Sequence, residues 1–138
     1  MSETIDWPPH VPRTPDPERK PYPHGFQVSR TEAFENVLSE LEKLEGATDV
    51  RIETAARHRS QRPNVPRADS NPADPGVVAY WTRAEKEYAA PCDAWDNLRD
   101  NAQAIYHYLS AKRGMERWGV AVENEFSTQR VEKTPLRE

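Results

Sequence analysis

The 138-residue sequence predicts an α+β fold: a helix, a three-stranded antiparallel sheet and a long helix (αβββα), preceded by a proline-rich extended arm. Three observations carry this reading. Apolar residues recur at three- and four-residue spacing over 33–44 and again over 98–109, which is the period of a helix with one buried face. Between them, 50–54 and 76–92 carry the β-branched, aromatic and alternating pattern of strands. Ahead of both, seven of the thirteen prolines fall within residues 8–23, where missing N–H groups and fixed φ oppose helix and sheet alike.

Taken in order, residues 1–27 form the arm, with Trp7, Val11, Tyr22 and Phe26 as the hydrophobes able to pin it to a surface. Ser29 and Glu32 match a capping box, and Ala33, Phe34, Val37, Leu38, Leu41 and Leu44 follow until Gly46 breaks the pattern. Val50, Ile52 and Thr54 share one side of a short strand, with Arg51 and Glu53 on the other. Residues 57–75 lose periodicity and carry four prolines, so they read as a long loop, a length usually tied to function or mobility. Gly76–Thr82 and Glu87–Cys92 form a hairpin across the polar turn Arg83–Lys86, and Pro91 puts the second strand at an edge or at its end. Asp93 and Asp96 are each placed to cap the last helix, whose buried stripe is Leu98, Ala102, Ile105 and Leu109 and whose weak points are Gly114 and Gly119. The single α+β domain covers 28–122 and a tail 123–138, with a short strand expected after Val120. The expected core is Phe34, Val37, Leu38, Leu41, Ile52, Val78, Tyr80, Leu98, Ile105 and Leu109, with the second sheet face left open.

Composition limits the function classes. No apolar run approaches the ~18 residues of a membrane span, and Met1–Asp6 lacks the basic and apolar segments of a secretory signal, so a cytoplasmic protein is expected. A net charge of -4 argues against simple, nonspecific attraction to phosphate backbones. The basic residues are 14 Arg against 5 Lys, and with 23 acidic residues this suits the hydrated, carboxylate-rich surface of a salt-adapted cytoplasm.

Catalytic signals are weak. His10, His24, His58 and His107 have no ligand-pair spacing and Cys92 has no second thiol, so no metal and no cofactor are expected. Cys92 reads as a small packed thiol rather than a nucleophile. Asp69, Asp74, Asp93, Asp96 and Asp100 are the only set from which a magnesium-dependent nuclease could be built, and capping or turn roles explain several of them. The basic cluster is the stronger signal. Arg51, Arg57, Arg59, Arg62 and Arg67 lie in and beside the long loop with His58, where guanidinium groups can reach phosphates. Tyr80, Trp81 and Tyr88 on the adjacent hairpin could add stacking; the alternative is a solvated, salt-bridged loop beside an ordinary aromatic core.

Several short motifs follow one another along the chain. They are Trp7-Pro8, Pro12-Arg13-Thr14, Asp74-Pro75-Gly76-Val77-Val78-Ala79-Tyr80, Cys92-Asp93 with Trp95 and Asn101, Lys112-Arg113-Gly114-Met115-Glu116-Arg117-Trp118-Gly119-Val120, and Glu125-Phe126-Ser127. Together they resemble a family of small proteins of phages, plasmids and haloarchaea. Longer members look like this module followed by a J-domain, the segment that stimulates Hsp70 ATPases. The sequence holds no His-Pro-Asp triplet, so that co-chaperone activity does not carry over. The resemblance implies an accessory, non-enzymatic binding module of a mobile element, an archaeal virus or plasmid. With the arginine loop, the expected partner is DNA or RNA; the alternative is a protein adaptor or virion component that binds a host or viral protein. The αβββα order also looks like the double-stranded RNA-binding architecture, which uses basic residues where this second helix opens with Asp93, Asp96 and Asp100.

Overall fold

The computed structural model describes residues 5–120. Helix α1 spans Arg30–Lys43 and begins with the capping box: Ser29 Oγ accepts from Glu32 N at 3.1 Å, and Glu32 Oε1 accepts from Ser29 N at 2.9 Å. Strands β1 (Thr48–Thr54), β2 (Val77–Arg83) and β3 (Lys86–Cys92) form one antiparallel sheet in the order β1-β2-β3. Helix α2 spans Leu98–Arg117. It runs through Gly114 without a break and stops where Gly119 adopts φ +83°, with Gly119 N donating to Glu116 O and Val120 N to Met115 O. The fold class is the αβββα arrangement that the periodicities predict. The boundary at 122, the tail 123–138, the strand expected after Val120 and Glu125-Phe126-Ser127 lie outside the described residues.

Register decides what the sheet buries. Ile52 pairs with Ala79, and Ala90 pairs with Ala79 from the other side, so Ile52, Val77, Ala79, Trp81 and Ala90 face the helices. There they meet Phe34, Val37 and Leu41 of α1 and Leu98, Ile105 and Leu109 of α2. Val78 and Tyr80 are buried too, but not in that core: with period 2 they point to the opposite face, where Ala89, Ile5 and Trp7 pack against them. The second sheet face is therefore not open, as expected from sequence, but covered in part by the arm. Leu38 is only partly buried at the margin of the main core.

The hairpin turn is tighter than the four polar residues suggest. Arg83 pairs with Lys86, leaving Ala84 and Glu85 as a two-residue loop at φ 54° and 68°, the sign pattern of a type I′ turn built without glycine. In that register Lys86, Tyr88, Ala90 and Cys92 form the hydrogen-bonded pairs with β2, so the backbone of Glu87, Ala89 and Pro91 faces the free edge. Pro91 thus sits in the sheet where no ladder donor is lost. A bulge between Thr48 and Arg51, with Asp49 at φ 53°, restores the alternation that puts Ile52 inward.

Asp93 and Asp96 do not cap α2. Asn97 does, its side chain accepting from Asp100 N at 2.9 Å. Asp93, 5% exposed, instead fastens the arm: it accepts from Arg13 Nε at 2.8 Å, Thr14 N at 3.0 Å, Thr14 Oγ1 at 2.7 Å and Arg19 Nη2 at 3.1 Å. Asp100 makes a second clasp, accepting from Tyr22 N at 3.2 Å, Phe26 N at 3.5 Å, Asn97 Nδ2 at 2.9 Å and Arg99 Nε at 3.2 Å. Burial raises both carboxyls, and the donors outweigh it, leaving each below its ordinary value. Asn101, fully buried, ties the same corner by donating to Pro75 O and Trp95 O and accepting from Trp95 N. Arg13 also bonds Asp74 at 2.6 Å and lies 4.4 Å over the Trp7 ring. The motif residues Trp7, Arg13, Thr14, Asp74, Pro75, Asp93, Trp95 and Asn101, scattered in sequence, thus converge on one task, holding residues 5–28 to the domain.

Candidate nucleic-acid interface

The segment joining β1 to β2 is a hydrogen-bonded scaffold. Arg59 N donates to Val65 O and Arg67 N to Arg57 O, giving an isolated bridge between His58 and Pro66. Asn64 Oδ1 accepts from Ile52 N at 2.8 Å on the outer edge of β1, and Val65 is buried. His58 lies 2.7 Å from Thr54 Oγ1 and 2.6 Å from Pro63 O, so this imidazole fixes the turn. Arg30, from the first turn of α1, donates to Arg67 O at 2.9 Å, Ser70 O at 2.8 Å and Asn71 Oδ1 at 2.7 Å. A segment without periodicity is ordered because its polar side chains replace a ladder.

The five sequence-predicted arginines do not share one surface. Arg51 lies 4.0 Å over the Tyr80 ring on the arm-covered face and bonds Asp6 at 2.9 Å, Glu53 at 3.2 Å and Glu87 at 2.8 Å. Its guanidinium is engaged by three carboxylates, and the group stays charged. Arg57, Arg59, Arg62 and Arg67 remain on the loop, beside α1. Arg62 pairs with Glu35 at 2.9 Å and Arg67 with Asp69 at 2.9 Å, both pairs exposed. Hydrogen bonding and charge from Arg67, with charge from Arg57, hold Asp69 below its ordinary value. Arg57 forms no ion pair among the described residues; it lines a polar cleft of about 260 Å³ with Asp69, Ser70 and Asn71. Arg59 Nε is buried without a hydrogen-bond partner among the described residues.

Stacking on the hairpin is not offered. Trp81 is core, Tyr80 is covered by Arg51 and gives its hydroxyl to Asp6 O at 2.7 Å, and Tyr88 stacks on Trp81 at 6.0 Å. Exposed aromatic character lies elsewhere, at Trp118, 73% exposed.

Sequence reasoning missed Arg30 and Arg99. Both stand in the first turn of a helix, where the dipole favours acidic residues, and a basic residue there was the available signal. With Asn97 and Leu98 they line a cleft of about 340 Å³ where the N-terminal turns of α1 and α2 meet.

The carboxylates of the nuclease alternative are each engaged by donors of the chain itself: Asp69 by Arg67, Asp74 and Asp93 together by Arg13, Asp100 by the arm, and Asp96 by Asn97. Among the described residues no group of three or more His, Cys, Asp and Glu is placed to hold a metal ion. Burial pushes the Cys92 thiol up, away from the thiolate. It lines an apolar groove of about 200 Å³ between β3 and α2 with Ala90, Pro91, Ala104, Ile105 and Tyr108. Among the described residues no helix is long and apolar enough to cross a membrane. No family model, curated protein or solved structure matches the chain.

Proposed function

We propose that the chain is a non-enzymatic, nucleic-acid-associated accessory module, of mobile-element origin on the motif resemblance, acting through Arg57, Arg59, Arg62 and Arg67. The observation that supports this is a loop whose backbone is fixed while its cations are weakly committed. Exposed pairs such as Arg62–Glu35 and Arg67–Asp69 are screened by solvent and contribute little, so exchanging the carboxylate for a phosphate costs little. Arg57 forms no ion pair among the described residues, and its charge reaches only as far as Asp69 in the same cleft. Arginine also suits high salt, because at a Debye length of ~3 Å in molar salt only close, bidentate contacts persist.

The test is a salt series with duplex and single-stranded DNA and RNA, comparing native protein with a variant carrying Arg57→Gln, Arg59→Gln, Arg62→Gln and Arg67→Gln. The native log-log slope should be flattened by roughly 0.7–0.9 for each contact removed. Equal affinities at every salt concentration would leave the protein-adaptor reading ahead. That reading rests on the apolar groove between β3 and α2, which offers an aliphatic segment a place to bury.

A further inference from the structure

We propose that the cleft between the N-terminal turns of α1 and α2 is a phosphate-group site in which Arg30 and Arg99 hold the oxygens. The inference rests on the nucleic-acid reading and extends its surface beyond the loop.

Arg30 is the key residue. Its three acceptors, Arg67 O, Ser70 O and Asn71 Oδ1, are all neutral, and it forms no ion pair among the described residues. Burial lowers its pKa, the mark of a cation that has lost water without gaining a counter-charge. A partly buried guanidinium whose partners are all neutral gains more from an incoming anion than an exposed, already paired one would. Its bonds leave Nε and one Nη2 proton for a ligand, while Nη1 is held by the two loop carbonyls. That anchorage sets the fork in one orientation before any ligand arrives.

Arg99 faces the same space. It lines the cleft with Arg30, and its Nη2 approaches Gly25 so closely that a Cβ there would lie 3.0 Å away. One nitrogen, Nε, is spent on Asp100, which also accepts from Tyr22 N and Phe26 N of the arm and from Asn97 Nδ2 of the α2 cap. The acids beside them in sequence do not line the cleft: Glu32 bonds the Ser29 cap and Asp96 bonds Asn97, both keeping their charge. Arg30 bonds Ser70 and Asn71, which wall the cleft of Arg57, so the two clefts adjoin. A backbone lying along them would meet both Arg57 and the Arg30/Arg99 pair.

The same chemistry would take a phosphate within a strand, a terminal phosphate or free inorganic phosphate, and three ligands separate them. Full-length protein is titrated with inorganic phosphate and with one oligonucleotide carrying a 5′-phosphate or a 5′-hydroxyl. Native, Arg30→Lys and Arg99→Gln forms are compared, along with a loop variant of Arg57→Gln and Arg67→Gln. Arg30→Lys retains the charge and loses the fork; Arg99→Gln leaves the loop anchorage alone. Each should weaken oligonucleotide binding about tenfold, with Arg99→Gln also flattening the salt slope by roughly 0.7–0.9. A preference for the 5′-phosphate would assign a strand end, and none would assign an internal phosphate. If both variants bind like native protein while the loop variant is weakened, the cleft is not a site and the nucleic-acid reading stands. If the native protein binds inorganic phosphate but no oligonucleotide, and Arg99→Gln abolishes this, the site stands and that reading falls. Absence of binding to every ligand overturns both.

Discussion

Replacing Asp93 by alanine should release the arm while leaving the two-helix core folded. The side chain accepts four hydrogen bonds, two of them from arginines, at 2.7–3.1 Å. Hydrogen bonds to charged groups contribute ~1.5–3 kcal/mol each, and breaking a buried ion pair costs about 3–5 kcal/mol. Here the loss is smaller than the sum. Arg13 is about a third exposed and keeps Asp74, and Arg19 keeps Asp93 O at 3.1 Å. A cost of about 2–4 kcal/mol, falling mainly on arm docking, is the expectation. Trypsin reads it directly, since Arg13 and Arg19 lie in the arm and neither is followed by proline. Cleavage there should accelerate at least tenfold in Asp93→Ala under conditions where circular dichroism of the core is unchanged. Asp93→Asn should fall between the two, because it keeps acceptor geometry without charge. The pH dependence has a definite sign. The folded carboxyl lies below its ordinary 3.8, so its contribution is complete above that value and is lost as pH falls through the depressed one. Arm protection should hold at pH 5–8 and decline below about pH 4. Unchanged tryptic protection in Asp93→Ala would refute the clasp.

Gly76→Ala should loosen the same arm without straining β2, because the new methyl would meet Arg13 Nη2 at 3.1 Å, Asp74 Oδ1 at 3.2 Å and Trp7 Cζ3 at 3.3 Å; faster cleavage at Arg13 is the readout. Leu41→Ala, in the main core, should cost ~2–5 kcal/mol in urea unfolding, and an unchanged midpoint would remove α1 from the core. Exchanging Ala84-Glu85 for Asn-Gly should raise stability by about 1–2 kcal/mol, since both positions hold left-handed backbone that L side chains resist; a lower midpoint would contradict the turn. Glu116, brought to about 2 chiefly by its bond from Arg83, with burial opposing and Lys112 adding, supports the helix end at neutral pH, and Glu116→Gln should remove stability at pH 7 but little at pH 2.

The helices and strands were legible because burial imposes a period that sequence displays, as at Phe34, Val37 and Leu41. Which face of the sheet Val78 and Tyr80 serve was not, since both faces of β2 are buried and its alternation is lost in a continuous apolar run. The roles of Asp93 and Asp100 were hidden for a different reason. Capping is a local rule that any aspartate near a helix start satisfies on paper, whereas these two bind partners 74–80 residues away. At the candidate interface, the arginine-rich loop could be read from composition, but the separation of Arg51 from the other four follows from strand alternation combined with the fate of the second face. Arg30 and Arg99 become neighbours only when the two helix starts are brought together.

The clasp on the arm has a consequence for the order of assembly. Its receptor is made from the turn before β2, the end of β3 and the first turns of α2, so it does not exist until the hairpin is zipped and the last helix has docked. The arm precedes all of these in the chain and has to wait, unattached, while they form. Seven prolines suit a segment with that schedule: it can neither extend α1 backward nor add itself to a growing sheet edge in the interval. Its docking should therefore be the closing step of folding, seen as a refolding phase in which tryptic protection of Arg13 and Arg19 appears after the circular dichroism of the core.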